Sequence, residues 1–108
     1  MDSAGAINVH NIGAFVMFFY VRGGGQTTAD SGGNFGFGES ATIKVGPPIP
    51  PGAEMWPVAD IAAGPNSHEA SENVIFDPSS PLIAIYDCGG TAPHPSFVYK
   101  GVKGLSSD

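Results

Sequence analysis

The stretch "GAFVMFFYVRGGG" (Gly13–Gly25) sets eight consecutive apolar or aromatic residues, Ala14 to Val21, against an arginine and three glycines. An extended chain sends Phe15, Met17, Phe19 and Val21 to one side and Ala14, Val16, Phe18 and Tyr20 to the other. Glycine brackets the run at both ends, and most of its residues are β-branched or aromatic, so a strand is expected rather than a helix. The run is also far shorter than the roughly 18 apolar residues that a membrane-crossing helix needs. Both faces are apolar, so a sandwich covers one of them and leaves the second in need of a cover.

Working outward, Ala6 to His10 reads as another extended segment, with "NIG" (Asn11–Gly13) as a bulge that bends one long strand. Downstream, Gln26 to Ser31 reads as a polar edge strand, and the spacing of Phe35 and Phe37 places both rings on one face. Ala41 to Val45 alternates as a half-buried strand with Ile43 and Val45 inward. The proline-rich "GPPIPPG" (Gly46–Gly52) reads as a polyproline-like crossover between sheets.

Glu54 to Ala63 is the next expected strand, with Pro57 confining its start to an edge or bulge. Gly64 to Asn73 reads as a polar loop with room for one helical turn. Asn73–Phe76 and Leu82–Tyr86 read as a hairpin around "DPSSP". Asp87 to Ser96 is expected to be a loop, Phe97 to Val102 a last strand, and "KGLSSD" a fraying tail. Seven or eight short strands at roughly 8–12-residue spacing predict an all-β, antiparallel sandwich of Ig-like or Greek-key type, a single domain over residues 1–108.

Composition narrows the function. The net charge is −6, and four Lys and Arg cannot neutralise a phosphate track, which argues against nucleic acid and anionic lipid. One cysteine, Cys88, forms no internal disulfide, and the N-terminus has no basic-then-apolar leader. A cytoplasmic protein is expected, or a secreted one if this is a mature chain. "RGGGQTT" lacks both phosphate-loop spacings, "HEASE" lacks the second histidine of a zinc helix, and "ADSGGN" is a faint calcium pattern. Cys88 beside His94 reads as a small buried cysteine rather than an activated thiolate. No cofactor and no metal are called for, and a binding protein is expected rather than an enzyme.

Carbohydrate binding asks for less: an aromatic to stack on a sugar face and polar groups at strand-end loops. Trp56, Asn66, His68, Tyr86, Asp87 and His94 are the residues that could serve, through the loops Gly64–Asn73 and Asp87–Ser96. A glycan or small polar ligand is thus the first expected partner. The alternatives are a membrane-interacting domain, motivated by the Phe-rich run, and a self-associating structural protein or homo-oligomer that pairs through the polar edge.

As a small, disulfide-free, Gly-rich acidic β domain, the chain resembles in type the cytosolic lectins of fungal fruiting bodies. More locally, "NVHNIGAFVMFFYV" (Asn8–Val21) with "GESATIKV" (Gly38–Val45) resembles a strand pattern of small β-sandwich domains in fungi and bacteria, some attached to cytolysin-like proteins. That span is about a third of the chain. The resemblance implies a sandwich fold and a binding role, and assigns no functional residues.

Overall fold

The computed structural model describes residues 1–104, and there the apolar run does form a strand, starting later than its sequence pattern. The elements are β1 (Ser3–Ala4), β2 (Ala6–Asn11), β3 (Met17–Gly23), β4 (Gln26–Thr27), β5 (Ser40–Lys44), β6 (Glu54–Ile61), β7 (His68–Glu69), β8 (Val74–Phe76), β9 (Leu82–Thr91) and β10 (His94–Gly104). No helix occurs among the described residues. The fold is an all-β sandwich. One sheet has the order β1-β8-β6-β3-β4, with β7 also on β6; the other has β10-β9-β2-β5. Both sheets are mixed, because β1 pairs β8 and β2 pairs β9 in parallel.

"NIG" is a change of sheet rather than a bulge, since β2 and β3 lie in different sheets. The cause is Asn11, a fully buried polar side chain. Its Nδ2 donates to the carbonyls of Phe15 (2.8 Å) and Phe35 (3.1 Å), and its Oδ1 accepts from the Gly13 N–H (2.9 Å). A β-carbon at Gly13 would collide with the Phe15 ring, which folds back into the core. Both amide donors of Asn11 and its oxygen are therefore paired inside the core, as a buried polar side chain requires.

Beyond the bend, β3 sends Met17, Phe19 and Val21 into the core against Ile7, Val9, Ala84, Tyr86 and Cys88 of the other sheet. Phe35 packs edge-on to Phe19, with ring centroids 6.4 Å apart and planes at 81°. Phe37 does not share its face: Phe35 makes only an isolated bridge to Met17, the chain turns at Gly38 (φ +84°), and Phe37 stands 75% exposed.

Pro57 was expected to confine β6 to an edge, yet β6 is central, with β3 on one side and both β8 and β7 on the other. The proline falls where β8, paired to Glu54 and Met55, has ended and β7, paired to Val58 and Ala59, has not begun. No ladder partner needs its missing N–H there, and its carbonyl accepts from Ala70 N at 3.0 Å.

Three other expectations are corrected. β8 and β9 are no hairpin, because "DPSSP" carries the chain from one sheet to the other, its turn closed by Ser79 on Asp77 Oδ1. Asp87 to Ser96 is no loop: it is the tip of the longest hairpin, β9 and β10, turning at Ala92 and Pro93. Gly90 at φ +91° and the register shift at Gly101 (φ +95°) let two long strands twist past each other. Gly64 to Asn73 holds no helical turn and supplies β7. Of the expected fraying tail, Lys103 and Gly104 end β10, and residues 105–108 lie outside the described residues.

No further layer covers the second face of the opening run. Ala14 and Val16 are exposed, while Phe18 and Tyr20 are half-buried. The Arg22 guanidinium lies 5.7 Å from the centre of the Tyr20 ring and 3.3 Å from Glu69 Oε1, and Trp56 Nε1 donates to that same oxygen at 2.8 Å. The face is dressed by its own aromatic and charged side chains.

Candidate functional site at the loop end

Four connections meet at one end of the sandwich: residues 12–16, 36–39, 62–67 and the β9–β10 turn. Their backbones are tied to one another. Ile12 N donates to Cys88 O (2.9 Å), Ala14 N to Gly90 O (3.2 Å), Ala62 N to Val16 O (2.9 Å) and Gly38 N to Asn11 O (2.8 Å). A β-carbon at Gly64 would collide with the Ala92 carbonyl oxygen, so that loop and the hairpin turn touch backbone to backbone. Fixed loops of this kind hold their side chains in set positions.

Those side chains are apolar. Five large apolar residues are exposed among the described residues, and three of them are here: Ile12 (45%), Val16 (43%) and Phe37 (75%). Ala14, Ala62, Ala63 and Pro93 are exposed beside them. Residues 11–17, 32–38, 61–67 and 88–98 contain no Asp, Glu, Lys or Arg, and His94 is their one titratable ring besides the buried thiol of Cys88. The opposite end carries Asp2, Lys44, Glu54, Asp77 and Lys103. Glu39, whose Oε1 accepts from the Gly36 N–H at 2.6 Å, borders this apolar group.

The six residues singled out from the sequence fall in different places. Asn66 and His94 are exposed at the loop end. Trp56 is half-buried on the outer face of β6, bonded to Glu69. His68 stacks on Phe97, with centroids 5.8 Å apart and planes at 10°. Tyr86 is fully buried and its hydroxyl donates to Glu72 O at 2.8 Å, so it presents no face to solvent. Asp87 lies on the outer face of the four-stranded sheet, 3.7 Å from His10 Nδ1. The structure brings neither Trp56 nor Tyr86, the two expected stacking residues, to the loop end. Ile12, Val16 and Phe37 were missed, although four charge-free segments beside glycine bends were a signal for them.

Cys88 points into the core, and burial pushes its thiol up to about 12, away from reactive thiolate. Among the described residues no three His, Cys, Asp or Glu side chains are grouped to hold a metal ion. No helix among them is long and apolar enough to cross a membrane, which says nothing of strands.

No family model and no curated protein matches the chain. Solved structures that it is similar to include a disulfide-locked mutant of intermedilysin with human CD59 (TM-score 0.49, 22% identity, 92% of this chain and 24% of that one). A structure described as a trapped toxin (0.49, 23%, 90% and 23%) and one of the human-specific toxin intermedilysin (0.47, 24%, 92% and 23%) are also similar. The chain thus spans about a quarter of the structures it matches.

Proposed function

We propose that this domain docks on an uncharged lipid surface through its loop end. The observation that supports the reading is the exposure of Ile12, Val16 and Phe37 on four backbone-locked loops whose one charged residue is Glu39. Of the Phe-rich run that suggested membrane contact, Phe15 and Phe19 are core residues, and it is Val16 that joins the exposed group.

The magnitude sets the mode of binding. Burying a Val, Ile or Phe side chain completely contributes about 1.5–3 kcal/mol, so the exposed fractions here sum to on the order of 4 kcal/mol. That is roughly the free energy of a 1 mM dissociation constant. One copy binds weakly, and useful attachment needs a second anchor or several copies. None of the four Lys and Arg lies in the loop-end segments and the net charge is −6, so anionic lipid adds no attraction.

Co-sedimentation with phosphatidylcholine vesicles, using the single domain and a tandem dimer, tests this. The dimer is expected to bind at least about tenfold more tightly than the monomer. Added phosphatidylserine is expected to give no gain. No binding of the dimer to either plain or sphingomyelin-containing vesicles removes the reading.

A further inference from the structure

A shallow groove crosses the outer face of the four-stranded sheet, away from the core. It has a volume of about 360 Å³ and is lined by Asn8, His10, Ser40, Ile83, Ile85 and Lys103, with Gly38 at one end. The register builds it: His10 lies between Ser40 and Asp87 on neighbouring strands, and Asn8 lies between Thr42 and Ile85. Alternation then sends all of these side chains to the same face.

We infer that this groove binds a neutral polyhydroxylated ligand of the hexopyranoside class. His10 Nδ1 and Asp87 Oδ1 stand 3.7 Å apart, beyond hydrogen-bond distance, so the ring and the carboxylate keep capacity for a ligand. Asn8 donates to Thr42 Oγ1 at 2.9 Å, which orients its amide and leaves its carbonyl oxygen able to accept. Ile83 and Ile85, both half-buried, form an aliphatic floor on which the C–H face of a pyranose lies while its hydroxyls meet the polar rim.

Charge and size exclude the rivals. An anionic ligand would meet Lys103 but also the charge of Asp87, which stands beside the groove at 3.7 Å from His10, in a protein of net charge −6. A wholly apolar ligand would strip water from Asn8, His10 and Ser40 without replacing their hydrogen bonds. The volume is at the low end of ligand clefts, about 300–1,000 Å³, which suits one or two sugar rings. Gly38 lines the groove and follows Phe37 of the loop end, so a sugar carried on a lipid lies within reach as readily as a free one. The inference stands on the groove and goes beyond the lipid-docking reading.

Titration of the ¹⁵N-labelled domain with methyl β-galactopyranoside, methyl α-glucopyranoside and methyl α-mannopyranoside tests it by amide shifts. Saturable shifts confined to the neighbourhood of Asn8, His10, Ser40 and Ile85 are expected for at least one glycoside. Asp87→Asn should weaken that affinity by about tenfold, as removal of a charge-assisted hydrogen bond does. His10→Ala, at a half-exposed ring, provides a second variant should Asp87→Asn disturb the sheet. No saturable shift with any of the three overturns the proposal, as do shifts elsewhere or full affinity in both variants.

Vesicles carrying glucosyl- or galactosylceramide separate the two sources of the sugar. An Ile12→Ser/Phe37→Ser variant that loses plain vesicles but keeps the glycoside shifts leaves the groove standing on its own. If that variant also binds the glycolipid vesicles, the sugar is taken from a lipid; if it binds the soluble glycoside alone, a free glycan is the ligand.

Discussion

The side-chain amide of Asn11 donates to the main-chain carbonyl of Phe15 at 2.8 Å, wholly out of contact with water. With the bonds to Phe35 O and from Gly13 N, it holds the bend that moves the chain from one sheet to the other. Two of the four loops at the exposed end, 12–16 and 36–39, are positioned by what this one amide does. Asn11→Ala would leave the Phe15 carbonyl and the Gly13 N–H without a partner and the Phe35 carbonyl with the Met17 N–H alone, and should destabilise the domain by about 2–4 kcal/mol. Urea unfolding reads the loss. Asn11→Asp should not rescue it, because a carboxylate cannot donate to either carbonyl.

Gly64 and Gly33 are both loop glycines, yet alanine should have opposite consequences at them. At Gly64 the new carbon meets the Ala92 carbonyl oxygen and Ile61, and a main-chain atom cannot swing aside. Gly64→Ala should cost about 1–3 kcal/mol and separate the 62–67 loop from the hairpin turn. Gly33 faces open space at an ordinary φ, so Gly33→Ala should leave the midpoint unchanged or raise it slightly. Thermal midpoints of the two variants check the contrast.

Phe37 and Phe19 separate contact from core. Phe19 is fully buried, and Phe19→Ala should destabilise by about 3–5 kcal/mol. Phe37 is 75% exposed, and Phe37→Ser should change stability by no more than about 0.5 kcal/mol. The same substitution should reduce vesicle binding by the tandem dimer several-fold. Unchanged binding would show that Phe37 does not enter the contact.

Stability should fall in alkali. Burial holds the Cys88 thiol at about 12 in the folded chain against an ordinary value of 9.0, and burial also raises the hydroxyls of Tyr86 and Tyr99 above their ordinary 10.0. Between the ordinary and the raised values the unfolded chain has lost protons that the folded chain keeps, so raising the pH favours unfolding. The protection is complete below pH 9.0 and shrinks as the pH rises towards about 12. Urea midpoints measured from pH 8 upward should decline beyond roughly pH 9, with Cys88→Ala giving a shallower decline. A flat profile would contradict the burial of these groups.

Much of the strand pattern was legible in short windows. Alternation placed Met17, Phe19 and Val21 on one face, and Ile43 and Val45 inward, because pleating depends on neighbouring residues alone. The prolines of Gly46–Gly52 announced a crossover for the same local reason. Pro57 misled, because whether a strand is central depends on its partners, and the gap between β8 and β7 that accommodates it involves residues far along the chain. "DCGGTAPHPS" resembled a loop because its glycines and prolines are turn formers. In the structure two of those glycines lie within a ladder whose partner strand begins only two residues after the turn opens.

The sequence by itself determined an all-β chain, its inward side chains and a surface with few cations. Tertiary structure alone decided which sheet each strand joined, that Tyr86 is core, that Phe35 goes inward while Phe37 stays out, and that four charge-free segments end up side by side. The division follows range. Secondary structure and facing are set by contacts between near neighbours, whereas the loop end and the sheet-face groove exist only once strands as distant as β2 and β9 have paired.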